Sequence, residues 1–389
     1  MVKKNLLVDI TIYISFIFLG LYLSVFQRSL EDIGNYYNMA SALQGILITS
    51  HFTGLLIMPL VAGEISDKYG RKMVSCLGYF FFFAGLITML ITTNIYVYVF
   101  AVFLIGGGFG IIEVLMTTLL VDLNPKKGSM VINVSQAFFV IGTASGPLLV
   151  SLFLSKGYDW RHLYAIFAGI SLIYLLYFSM LSFKKDAYSE AKLKGILVLR
   201  LLKEPLMVLF ALSILLYVGM EQGVSFYINT YIKSMTSSEL VASLALSGFW
   251  GFMIVGRVAS SYISRKINPK KMIIVLAGFA GLSLMLIVFS RNYFLAAIGF
   301  SVLGLGLSGI WPLLVYSASA SFPRFAGTTI GIMMAFSAAG GMIIPFISNA
   351  IGSFWGANAR IASFLVPTVI IILFQAIILK KGIKPREQS

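Results

Sequence analysis

Two carboxylates stand where a carboxylate is costly. Glu113 lies in the apolar run from Val97 to Leu120, and Glu221 in the run from Leu206 to Ile232. Each run is long enough to cross a bilayer. An acid at that depth costs roughly 2.5–3.5 kcal/mol on insertion scales and marks a function by default. Desolvation disfavours the charged form of a carboxyl. Such a group can hold a proton near neutral pH and release it when water or a cation arrives, which is what proton coupling demands. The rest of the 14 acids fall at or between segment ends. Glu64, Asp67, Asp122, Asp186, Glu190, Glu204 and Glu387 share one side with Asp9 at its boundary, and Glu31, Asp32, Asp159 and Glu239 lie on the other.

Around these two acids the residue types suit a small polar solute. At helical spacing Gly106, Gly110, Glu113 and Thr117 fall on one stripe, opposite Phe109, Leu115 and Leu119. That stripe should face a protein interior or a wet cavity, with Thr117 a possible partner for the acid. Asn133, Gln136, Gln222 and Asn229 supply amides, and Tyr217 and Trp311 supply rings, the set that grips a solute with both hydroxyls and an apolar face. Gln222 and Ser225 offer partners to Glu221. Arg257 is the lone cation inside an apolar run, placed to pair with an acid or a solute oxygen, or to snorkel to the surface. His51 suits a proton relay or a neutral interhelical hydrogen bond. No HExxH, paired cysteines or nucleophile elbow occurs, and Cys76 stands alone, so neither metal site nor cofactor is expected.

The elements that position these residues are membrane helices. The 389 residues are 59% hydrophobic and 11% charged, too thin a charged shell for a soluble domain. Twelve apolar segments follow: Asp9–Leu30, Ala42–Ala62, Met73–Thr93, Val97–Leu120, Met130–Leu154, Leu163–Phe183, Leu206–Ile232, Leu240–Ile263, Met272–Phe289, Tyr293–Ala318, Thr328–Ile351 and Ile361–Leu379. A basic linker, 184–204, separates an N-terminal six-helix half (1–183) from a C-terminal one (205–389). With both termini cytoplasmic, most of the 29 Lys and Arg fall inside. Only Arg28, Lys156, Arg161, Lys233, Arg291 and Arg360 fall outside. That asymmetry accounts for the charge of +15 without nucleic acid. The first segment is too long for a signal peptide and should stay in the membrane.

The halves also repeat. A shift of 198 residues superposes Gly106 on Gly304, Gly108 on Gly306, Glu113 on Trp311, Gly142 on Gly340 and Pro147 on Pro345. Repeated halves around a mid-membrane solute site are a transporter architecture. Trp311 should then face Glu113.

Between the second and third segments runs Gly63-Glu-Ile-Ser-Asp67-Lys68-Tyr-Gly70-Arg71-Lys72. This resembles the signature loop of the major facilitator superfamily. The resemblance implies a gate in which Gly63 and Gly70 allow close approach and Asp67 trades partners with Arg71 and Lys72. The second-half copy carries Ser264 in place of the acid. Gly108-Phe-Gly110-Ile-Ile-Glu113, the run Asn133, Gln136, Phe138, Gly142, and Tyr217-Val218-Gly219-Met220-Glu221 are similar to elements of the fucose-permease branch of sugar symporters. The chain departs from that branch in Thr117, where an asparagine is usual, and in a first helix with no acid between Asp9 at its inner boundary and Glu31. The resemblance implies an all-α membrane protein of twelve helices that works as a monomer in the cell membrane. It would carry a monosaccharide-like solute by alternating access, coupled to a proton, with sodium the alternative ion. An exporter of drugs, sugars or other amphiphiles is the competing reading, because Gly142-Thr-Ala-Ser-Gly146-Pro147 resembles the fifth-helix signature of superfamily antiporters. The absence of an arginine at Leu104 speaks against it.

Overall fold

In a computed structural model, residues 6–39, 41–69, 71–123, 128–180, 195–263, 267–322 and 325–381 are described, and all the secondary structure among them is helical. Helix starts are written locally. Asn268 accepts a hydrogen bond from the backbone N–H of Lys270, with Pro269 filling the position whose N–H has no helical partner. Asn292 does the same for Phe294.

The chain forms two compact units, Met1–Ser189 and Glu190–Ser389. The first holds α1 (Leu6–Tyr36), α2 (Ser41–Tyr69), α3 (Arg71–Ile91), α4 (Ile95–Leu123), α5 (Gly128–Ser155) and α6 (Arg161–Met180). The second holds α7 (Gly195–Leu202), α8 (Pro205–Lys233), α9 (Glu239–Ile263), α10 (Pro269–Phe289), α11 (Tyr293–Leu307), α12 (Ile310–Ser321), α13 (Ala326–Ala362) and α14 (Leu365–Lys381). Among the described residues ten spans are long and apolar enough to cross a membrane, the tandem of α11 and α12 counting as one. With α2 and the shorter α14 they make the twelve spans of the sequence reading. Bulky apolar side chains such as Phe100, Ile173, Met180, Val258 and Leu282 point outward, as a lipid-facing surface requires.

The packing repeats as the sequence does. In the first unit α1 pairs with α5, α2 and α3 with α4, and α3 with α6. In the second, α8 pairs with α13, α9 and α10 with α11, and α10 with α14, the same pattern one repeat on. The glycines show why. A Cβ on Gly106 would strike the carbonyl of His51, and one on Gly304 the carbonyl of Phe249, 198 residues beyond His51. Gly142 meets the Ile17 carbonyl, and Gly340 that of Leu215, again 198 residues on. Small residues let membrane helices approach closely, and here the same crossings are built twice.

Several boundaries differ from the sequence reading, among them the end of α2, which runs on to Tyr69 rather than stopping at Ala62. The first helix runs on to Tyr36, so Glu31 and Asp32 are helical rather than beyond its end. Part of the linker is the helix α7. The tenth span, read as one helix, is broken at Ser308–Gly309 between α11 and α12. The eleventh runs on to Ala362 through a break at Gly356, whose φ of 87° suits glycine, so the last helix starts at Leu365 rather than Ile361. Phe354 and Trp355 beside that break are exposed, in the manner of interfacial anchors.

Candidate functional site

The second unit gathers a phenol, a carboxylate, a guanidinium and a freed backbone carbonyl at one point. On α8, Tyr217 and Glu221 are one turn apart and share a face. The opposite side of α8 fixes its rotation. Gly219 sits against Ile344 and the Gly340 carbonyl of α13, and Gly223 against Phe364. Tyr217 and Glu221 are thereby turned inward, 0% and 5% exposed. The Tyr217 hydroxyl lies 3.0 Å from Glu221 Oε1 and 3.0 Å from the Leu307 carbonyl, where α11 ends. Arg257 of α9 completes the group, its Nη2 at 3.7 Å from Glu221 Oε1 and 3.7 Å from Met253 Sδ. Its guanidinium thus turns to an acid, which decides between the two readings made of it. The expected partners of Glu221 change accordingly. Ser225 Oγ donates to the Gln222 carbonyl, while Tyr217 and Arg257 meet the carboxylate.

Two turns beyond Glu221 on α8 stands Asn229, 1% exposed, with neither its amide nitrogen nor its amide oxygen hydrogen-bonded. A buried polar group left without a partner costs about 1–3 kcal/mol. Gln222 is buried beside Glu221. Trp311, half-buried, opens α12 just past the helix break.

The first unit has a smaller arrangement. Glu113 of α4 is half-buried, and the side chain of Gln136 on α5 hydrogen-bonds to it. Thr117 Oγ1 donates to the backbone carbonyl of Glu113 at 2.8 Å, not to its carboxylate. The glycine stripe does not face open space. Gly106 and Gly110 pack on α2 against His51, Pro59 and Leu55, and the opposite residues Phe109, Leu115 and Leu119 are buried too. His51 makes no interhelical hydrogen bond. Its ring lies among Tyr22, Phe26, Phe52 and Phe109, with no hydrogen-bond partner at either nitrogen. The side chains of Asn133 and of the expected gate (Gly63, Asp67, Gly70, Arg71 and Lys72) lie outside the described residues.

Sequence reasoning missed two buried cations. Arg28, placed at the outer surface, is 0% exposed and pairs with Asp32 at 3.3 Å. Arg360 is buried with its guanidinium 4.4 Å above the Tyr227 ring. The i,i+4 spacing of Arg28 and Asp32 was the available signal for the first. Nothing in the sequence signalled the second.

By sequence, the chain is 22% identical over 377 residues to a TsgA protein homolog of Buchnera aphidicola subsp. Schizaphis graminum, covering 96% of each. It is 23% identical over 339 residues to the glucose/mannose transporter GlcP of Bacillus subtilis, covering 84% of this chain and 80% of that one. By fold it is similar to a D-xylose-proton symporter (TM-score 0.78, 15% identity, 97% and 98% covered). The Escherichia coli fucose:proton symporter is a second such neighbour (TM-score 0.64, 17% identity, 94% and 98% covered). The model of the Major Facilitator Superfamily matches residues 10–345 and 236–388. With two repeated units of membrane helices, the chain is a multi-span membrane transporter of small-molecule solutes, not an enzyme, and belongs to that superfamily.

Proposed function

We propose that this transporter carries a monosaccharide-like solute into the cell by alternating access, coupled to a proton. The observation that carries the reading is Glu221, a membrane-depth carboxylate held jointly by a phenol and a guanidinium. Such a group has two stable conditions. Ionised, it pairs with Arg257. Protonated, it gives up that pair and rearranges its hydrogen bonds, which is what a coupling site must do. Glu113 with Gln136 gives the first unit its own carboxylate.

Asn229 supports the solute class. A sugar hydroxyl donates and accepts, and so matches an amide whose oxygen and nitrogen are both unspent. Gln136, Asn133 and Gln222 add amides, and Tyr217 and Trp311 add rings. The names of the sequence relative and fold neighbours point the same way, towards glucose or mannose, xylose and fucose. We assign the halves to 1–183 and 205–389, joined by 184–204, in one monomeric chain within the bilayer. Gly63, Asp67, Gly70, Arg71 and Lys72 form its cytoplasmic gate.

The test is uptake of D-glucose, D-mannose, D-xylose and L-fucose into proteoliposomes under an inward proton gradient. Accumulation of at least one is expected. Glu113→Gln and Glu221→Gln should each abolish accumulation while leaving exchange of labelled for unlabelled solute across the membrane. Gradient-driven accumulation that survives both substitutions would refute proton coupling at these acids. Dye efflux without sugar uptake would favour the exporter.

A further inference from the structure

Tyr217 has one hydroxyl hydrogen and two acceptors, each at 3.0 Å: Glu221 Oε1 and the carbonyl of Leu307. One hydrogen cannot serve both. The arrangement is fully satisfied only when Glu221 carries a proton. Its carboxylic O–H then donates to the phenol oxygen, and the phenol O–H donates to Leu307. When Glu221 is ionised it is acceptor-only, and the phenol hydrogen must choose between a carboxylate and a carbonyl. Charge-assisted hydrogen bonds are roughly twice as strong as neutral ones, so the carboxylate wins.

The loser is a particular carbonyl. Leu307 is the last residue of α11, in the turn whose carbonyls have no intrahelical donor. The next carbonyl, that of Ser308, has no donor four residues on, because that residue is Pro312. The backbone hydrogen-bond ladder is therefore interrupted where the phenol reaches it, while Ser308 and Gly309 keep helical dihedrals. Broken membrane helices are where transporters place parts that bind and move.

We propose that Tyr217 is a positioning residue that transmits the protonation state of Glu221 to the break between α11 and α12. With Glu221 protonated, the phenol caps α11 and Arg257 loses its ion pair. With Glu221 ionised, the phenol and Arg257 both turn to the carboxylate and the end of α11 is released. The inference rests on Glu221 as the coupling acid.

Few other groups bear on the site. Among the described residues, the charged or titratable groups facing Glu221 are Tyr217 of α8 and Arg257 of α9. Those on the helices packed against α8 stand elsewhere. Arg200 of α7, Tyr262 of α9, Tyr293 of α11 and Tyr316 of α12 are exposed, Glu239 of α9 pairs with Lys233, Arg360 of α13 stacks on Tyr227, and Lys380 ends α14.

The test uses the full chain in proteoliposomes with Cys76→Ser and Ser308→Cys, the latter at a position that is 0% exposed. Labelling of that thiol reads opening of the break. Its rate should change about tenfold across the titration of Glu221, the factor that one hydrogen bond supports. Tyr217→Phe should flatten this pH dependence, and an unchanged profile in that variant overturns the proposal. Infrared difference spectra between acid and neutral pH separate the two layers of the argument. A protonated-carboxyl band that is lost in Glu221→Gln establishes the acid, and a band that persists there defeats the coupling reading itself. Should Tyr217→Phe fail to fold, Glu221→Gln gives a second reading, because its amide N–H donates to the phenol as the carboxylic acid does. It should hold labelling at the acid-side rate at every pH, and a rate still varying with pH overturns the proposal.

Discussion

At the scale of single residues, Asn229 allows a test in which stability and binding move in opposite directions. Its amide is buried with neither polar atom hydrogen-bonded to the protein, which costs stability. Leucine has the same branched shape, is somewhat larger, and has nothing to satisfy. Asn229→Leu should therefore leave the melting temperature of the solute-free protein unchanged or raise it, while weakening solute binding about tenfold or more, as loss of a hydrogen-bonding site does. Thermal-shift titration with the transported sugar reads both quantities. A fall of several degrees without solute would mean that Asn229 holds the fold and not a ligand. The residue scale is also where the sequence was least legible. Glu113, Glu221 and Asn229 stood out because a polar side chain inside an apolar run is conspicuous. The pairing of Arg257 with Glu221 depends on the rotation of α8, which Gly219 and Gly223 set through α13 and Phe364, contacts more than a hundred residues away along the chain.

At the scale of helices, the repeat separates glycines that make a crossing from glycines that do not. A methyl group on Gly304 would meet the Phe249 carbonyl and push α11 off α9, whereas one on Gly251 meets nothing within 4 Å. Gly304→Ala should lower the melting temperature and activity together. Gly251→Ala should be neutral or stabilising by up to about 1 kcal/mol, the helix-propensity gain of alanine over glycine. Equal losses at the two positions, measured by thermal unfolding in detergent, would show that the helix crossings are not set by glycine contact. These crossings were legible because the 198-residue offset recurs in the glycines themselves. The break between α11 and α12 was not. Pro59, Pro147 and Pro345 lie within helices that continue past them, so Pro312 alone is no sign of a stop. The break needs Ser308 and Gly309 before it as well, a conjunction of poor helix formers that a hydropathy reading passes over.

At the scale of the whole molecule, the distribution of charge argues for one orientation. Four of the cations assigned to the outer face are held by a neighbour: Arg28 by Asp32, Lys233 by Glu239, Arg161 by Asp159, and Arg360 over Tyr227. Arg161 also lies 3.9 Å from the centre of the Tyr36 ring. The three ion-paired cations add no net charge to their side, whereas Arg360, stacked on an uncharged ring, keeps its own. The surplus that makes the chain +15 therefore belongs to the opposite face, and loops rich in Lys and Arg stay in the cytoplasm. Both termini should then be cytoplasmic. In a Cys76→Ser background, Tyr158→Cys, in the exposed turn after α5, should react with a membrane-impermeant thiol reagent in intact cells. Lys203→Cys, between α7 and α8, should react only after the cells are permeabilised. The reverse pattern would invert the molecule. Under the proposed proton coupling it would also put the basic linker on the side from which protons enter, where a positive surface would repel the coupling ion rather than face the compartment that receives it.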